Sequence, residues 1–265
     1  MSFDHLRHEI PADIIVDAEP YTGTFNMAMD AALLELAMER QRSVIRIYSW
    51  CEPTVTLGHF QKPDDAAGGL FATLPTVRRL SGGGAILHDR EVTYSCILPA
   101  SHPVRQQPSD LYRMVHSVLI ELMKDCGADC CLRAETDRDA SGSKRAVGEP
   151  WLCFLRADPN DILHRSGPKV TGSAQRRRRG VILQHGSILL SASPHAVSVP
   201  GLLDLSPDFD QPRFRRLLPD AVGRAVASDH QTRSYNDEEI TRAESLASGM
   251  SMTRIAREQR DNAVV

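Results

Sequence analysis

The sequence predicts an α+β fold, a mixed and mostly antiparallel sheet packed with helices. Three observations carry this. Short β-type runs and a few long helical runs follow one another in mixed order, without the regular alternation that builds parallel βαβ units. Gly- and Pro-containing turns separate several of the β-type runs. The chain has 265 residues, 42% hydrophobic and 25% charged, so it can bury a sizeable core.

Taken in order, NMAMDAALLELAMER (26–40) is rich in good helix formers, with Asn26 as the expected N-cap and Met27, Asp30, Leu34 and Met38 at helical spacing. VIRIYSW (44–50) and TVTLG (54–58) read as strands around a Cys51-Glu52-Pro53 turn. TVRRL (76–80) is a strand stopped by Gly82, Gly83 and Gly84, and EVTYSCIL (91–98) is another, ending at Pro99. Ser109 or Asp110 caps a second helix, LYRMVHSVLIELMKDC, which Gly127 stops. The polar stretch 134–150 reads as a loop. WLCFL (151–155), KVTGSA (169–174) and VILQHGSILL (181–190) are further strands, with RRRRG (176–180) as a hairpin turn. Beyond Ser191 the pattern weakens, although 236–259 is compatible with an amphipathic helix.

Composition excludes several classes. No apolar run approaches the roughly 18 residues of a membrane helix. The start, MSFDHLRHEIPADII, has no secretory pattern, so a cytoplasmic protein is expected. A net charge of −3 gives no overall pull toward nucleic acid or acidic membranes. The six cysteines have neither C-x-x-C spacing nor a nearby histidine set, so reduced thiols and no metal are expected.

Four segments have chemical potential. In Arg78-Arg79-Leu80-Ser81-Gly82-Gly83-Gly84, followed by His88-Asp89, glycines let a ligand approach backbone N–H groups and arginines supply cations for an anion. The run fits neither a Walker A loop nor a dinucleotide fingerprint. In Lys169-Val170-Thr171-Gly172-Ser173-Ala174, strand alternation sends Lys169, Thr171 and Ser173 one way and Val170 and Gly172 the other. Gly172 inside a strand marks a close approach. Gln184-His185-Gly186 sits in an otherwise apolar strand, where a histidine lines a pocket or simply bonds within the sheet. Cys153, in an apolar tetrapeptide, is ordinarily a packing residue and becomes a nucleophile only beside a cation or base.

Together and in this order, NMAMDAALLE, RIYSWCEPTVTLGHFQ, RRLSGGGAILHDREVTYS and KVTGSAQRRRRGVILQHGSILL resemble the catalytic domain shared by lipoate–protein ligases, octanoyltransferases and biotin–protein ligases. The resemblance implies that class II biotin/lipoyl ligase fold, as a single domain over 1–265 with a motif-bearing core of about 14–190 and a weakly matching 191–265. It also implies that Arg79, Ser81, Gly82, Gly83, Gly84 and His88 form the acyl cleft. Lys169 would hold the acyl carbonyl, Gly172 and Ala174 would give close approach, and Gln184, His185 and Gly186 would complete the wall. Biotin ligation is disfavoured, because the arginine/glycine segment differs from that branch's loop.

Two branches remain. The transferase branch passes octanoyl from acyl carrier protein through a cysteine thioester to a lysine of a lipoyl-domain or glycine-cleavage H-protein acceptor, without ATP or metal. The ligase branch activates free lipoate with ATP and Mg. Cys153-Phe154, sixteen residues ahead of Lys169, matches the cysteine position of the transferase branch. In the transferase reading Cys153 and Lys169 are catalytic, and His185 or His88 is the candidate base for the acceptor amine. In the ligase reading Cys153 is packing. A third reading is a non-catalytic member that binds acyl carriers. The arginine run 176–179 is either a solvated turn or a dock for acidic carrier domains; no aromatic residues interleave with it, which disfavours nucleic acid.

Overall fold

The computed structural model describes residues 10–62, 73–136 and 153–250. An eight-stranded sheet runs in the order β11-β1-β2-β6-β10-β9-β8-β7. Its strands are β1 (Ala12–Val16), β2 (Ser43–Tyr48), β6 (Glu91–Leu98), β7 (Cys130–Leu132), β8 (Ile162–His164), β9 (Lys169–Arg178), β10 (Val181–Leu189) and β11 (His230–Thr232). Within this sheet only β1 pairs in parallel, with β2 and β11, and its other pairings are antiparallel, so the mixed, mostly antiparallel expectation is met. A small second sheet, β4-β3-β5, comprises β3 (Thr54–Leu57), β4 (Thr76–Arg78) and β5 (Ile86–His88).

Helices cover both faces of the large sheet, so its central strands are apolar on both sides. Alternate residues serve the two layers. Ile14, Ile45, Cys96 and Ile182 pack under α2 (Asp110–Asp125) and α4 (Gln211–Val226). Their neighbours Ile15, Val44, Ile97 and Leu183 pack under α1 (Gly23–Leu36) and α5 (Asp237–Gly249). A four-residue helix, α3 (Leu202–Leu205), precedes α4. The weakly patterned 191–250 region thus supplies an edge strand and two layer helices to the same body. None of the six cysteines is in a disulfide.

Four local expectations change. Helix α1 starts at Gly23, capped by the Thr22 side chain accepting from Phe25 N–H. Asn26 instead lies inside the helix, its amide donating to the carbonyls of Tyr21 and Ser49. The expected strand 151–155 is a 3₁₀ turn, Cys153–Leu155, where described; residues 151 and 152, most of the 134–150 loop, and 251–259 lie outside the described residues. Strand β9 runs on through the arginines to Arg178, and the hairpin turn is only Arg179-Gly180, both at positive φ (50° and 87°), the pair a tight antiparallel hairpin needs.

The fourth change re-aims a side chain. Ile162 opposes Thr171 and Leu163 opposes Lys169, so one step on β8 faces two on β9. Such a bulge breaks strict alternation. Lys169 is thereby turned onto the face of Gly172, against the expectation that the two point apart.

Candidate active site

A cavity of about 660 Å³ opens on the α1 side of the sheet, within the range of small-molecule sites. Of the expected residues, Arg79, Gly82, Gly83, Gly84, His88, Cys153, Lys169, Gly172, Ala174, His185 and Gly186 line it. Ser81 and Gln184 do not. The Ser81 hydroxyl lies behind the wall, 2.5 Å from His185 Nε2. Gln184 alternates to the α2/α4 side, where it donates to the Tyr94 hydroxyl.

The glycine loop is held by Arg79. Its guanidinium donates to the carbonyls of Thr56 (3.0 Å), Gly82 (2.7 Å) and Gly84 (2.6 Å). Burial lowers the Arg79 pKa. Arg79 therefore shapes the cleft by fixing backbone. Gly83 sits at φ +96°, a conformation L side chains rarely adopt.

At one end of the cavity, the 3₁₀ turn presents Cys153 and β9 presents Lys169. Cys153 N–H donates to Ala85 O at 2.7 Å, fastening the turn to the end of the glycine loop. Lys169 Nζ lies 2.8 Å from Asp161 Oδ1 and 3.3 Å from the Cys153 carbonyl, with the Phe154 ring at 5.2 Å. Both charged side chains are almost fully buried (4% and 5% exposed), so each depends on the other for compensation. Burial pushes the Asp161 carboxyl up, and the Lys169 ammonium opposes that shift. Sequence reasoning missed Asp161, which sits in an ordinary-looking Pro-Asn-Asp turn.

The two cavity histidines are both engaged. His185 Nδ1 lies 3.1 Å from Asp30 Oδ2, with Ser81 on its other nitrogen. Burial pushes Asp30 up, but hydrogen bonding from His185 and the Arg46 charge outweigh it and hold the carboxyl below its ordinary range. His88 bonds Glu91 through Nδ1 (2.8 Å) and Thr56 through Nε2 (2.8 Å), and it stacks on Trp50 at 3.9 Å. Burial lowers its pKa, opposed by Glu91. Neither ring has a nitrogen to spare for a substrate amine unless it gives up one of these bonds. Asp30 was missed as a site residue, yet a carboxylate on the apolar stripe of α1 was the available signal.

Comparison with known proteins identifies the family. The model of the lipoyl protein ligase A/B catalytic domain matches residues 22–203. The chain belongs to that family. Among curated relatives, Octanoyltransferase LipM of Macrococcus caseolyticus (strain JCSC5402) is 36% identical over 229 residues, covering 82% of this chain and 76% of that protein. Octanoyltransferase LipM of Staphylococcus aureus (strain NCTC 8325 / PS 47) is 37% identical over 230 residues, covering 84% and 78%. A solved putative lipoate protein ligase from T. acidophilum with bound lipoic acid superposes with a TM-score of 0.69 at 17% identity, covering 90% of this chain and 95% of that one.

The last match establishes the lipoyl ligase-type fold for this chain, as the motif resemblance implied. Within that fold, Cys153 and Lys169 converge across the sixteen-residue separation noted in the sequence. No helix among the described residues is long and apolar enough to cross a membrane. Among the described residues, no cluster of three or more His, Cys, Asp or Glu is arranged to hold a metal ion.

Proposed function

We propose that this member of the family is an octanoyltransferase of protein lipoylation, with Cys153 as nucleophile and Lys169 as its cationic partner. The supporting observation is Lys169 Nζ at 3.3 Å from the Cys153 carbonyl in a shared cavity. The two LipM relatives, each matched over more than three quarters of its own length, point to the same chemistry.

In the first half-reaction the Cys153 sulfur attacks the thioester carbon of octanoyl-acyl carrier protein. A new C–S bond forms, the old one breaks, and the carrier thiol leaves with the proton from Cys153. The Lys169 ammonium and the N–H groups of the glycine loop stabilise the developing oxyanion. In the second half-reaction the lysine amine of a lipoyl-domain or H-protein acceptor attacks. A C–N bond forms, the C–S bond breaks, and the departing Cys153 thiolate takes the amine's proton. This route uses no base among the engaged histidines.

Thioester exchange is nearly isoenergetic and thioester aminolysis runs downhill, so the proposed reaction uses neither ATP nor metal. The test is transfer of octanoyl from acyl carrier protein to an apo H protein with no ATP present. Transfer supports the proposal. Modification only with free lipoate, ATP and Mg would make the chain a ligase, and stable carrier binding without either reaction would make it a non-catalytic binder.

A further inference from the structure

Tyr48, Thr93, Ser187 and Gly172 lie in one straight row across four neighbouring strands. Tyr48 on β2 is registered with Thr93 on β6, Thr93 with Ser187 on β10, and Ser187 with Gly172 on β9. All four line the cavity, and registered residues share a face of the sheet. Three inter-strand steps span about 14 Å. The Lys169 side chain lies over the Gly172 end, with Nζ 2.9 Å from where a Gly172 Cβ would stand. At the other end Met27 of α1 packs with Tyr48 and closes the row.

The floor between these ends is made of polar residues whose hydrogen bonds point elsewhere. Thr93 and Ser187 both donate to Glu91 Oε1, at 2.6 and 3.0 Å, and the Tyr48 hydroxyl donates to Asp30 at 3.2 Å. An alkyl chain laid along this floor strands no donor, so the usual cost of covering polar groups is absent. The small side chains at Gly172, Ser187 and Thr93 line the trough, with the Trp50 indole donating to Thr93 Oγ1 at 2.9 Å, and the bulky Tyr48 and Met27 end it.

We propose that Met27, set against Tyr48, determines acyl chain length, with the carbonyl at Lys169 and the terminal methyl against the Met27 thioether. This rests on the octanoyltransferase reading. Carbon–carbon bonds of about 1.5 Å advance an extended chain by about 1.25 Å each, so eight carbons reach about 9 Å. Added to the hydrogen-bonded approach of the carbonyl to Lys169, that length brings the methyl to the Tyr48 end. Two further carbons collide with Met27.

The test is acylation of the full chain by hexanoyl, octanoyl, decanoyl and dodecanoyl acyl carrier proteins, followed by intact mass on Cys153. One methylene in an apolar pocket is worth roughly 10- to 200-fold in specificity. Met27→Ala is expected to raise the decanoyl-to-octanoyl rate ratio at least tenfold. Met27→Phe is expected to lower the octanoyl-to-hexanoyl ratio by a similar factor, and it carries the test if the alanine variant does not fold. Unchanged length profiles in folded variants would overturn the gauge while leaving the transferase reading intact. Failure of the wild type to take any acyl chain would instead overturn the transferase reading.

Discussion

Lys169 and Gly172 share one volume: a Cβ on Gly172 would stand 2.7 Å from Lys169 Cε and 2.9 Å from Nζ. The glycine is therefore the space in which the lysine lies, and the bulge at Val170 turns the lysine into it. Gly172→Ala should push the ammonium out of line while leaving the sheet folded. Misplacement of a catalytic group by about 1 Å can cost on the order of 100-fold. We expect octanoyl transfer to fall between about 10- and 100-fold in a variant that stays folded, measured by single-turnover kinetics and circular dichroism. Full activity would contradict the shared-volume account.

Asp161 is the counter-charge of a buried lysine, and removing one member of such a pair leaves the other uncompensated. Asp161→Asn should lower turnover at least tenfold and Asp161→Ala further, with the larger effect on kcat. Kinetics on both variants check this. Wild-type kcat in Asp161→Asn would show that the pair is dispensable.

His116, on α2, bonds the Asn160 carbonyl at 2.5 Å and Ser173 at 2.7 Å, tying the Asp161 turn to β9. Burial pulls its pKa from 6.5 down to about 4. The unfolded chain therefore binds a proton that the folded chain refuses, and this stability falls as pH drops from 6.5 toward 4. The loss reaches about 2–3 kcal/mol near pH 4.5, at about 1.4 kcal/mol per pH unit. Urea unfolding at pH 7.5 and 4.5 should show that drop in wild type, reduced by a similar amount in His116→Gln. An equal drop in both would refute the assignment.

Much of the cavity lining was legible because it sits in contiguous motifs: the glycine loop, Lys169-to-Ala174, and Cys153. What was not legible depends on pairing between distant segments. No local pattern reports that Asp161 meets Lys169, that Asp30 orients His185, or that Tyr48, Thr93, Ser187 and Gly172 share a row. The bulge defeated alternation at Lys169, because one extra residue exchanges the faces. Helix α4 escaped because Pro219 and Gly223 interrupt its pattern, and β11 because three residues carry too little signal.

The arginine run is a strand end with one ion pair among the described residues, Arg178 to Glu35 at 3.2 Å, and its outer side chains are exposed. Changing Arg177 and Arg179 to Glu leaves that pair in place. If the run docks an acidic acyl carrier protein, this variant should raise KM for the carrier severalfold at low salt, with the difference shrinking as ionic strength rises. Equal KM values at low salt would leave the strand end as plain surface.

The central claim is that octanoyl is carried on Cys153. The most direct measurement is intact-protein mass after incubation with octanoyl-acyl carrier protein and no ATP, for wild type and Cys153→Ala. A hydroxylamine-sensitive octanoyl adduct on wild type and none on Cys153→Ala is the predicted result. An unmodified wild type, or an adduct that survives in Cys153→Ala, would contradict it.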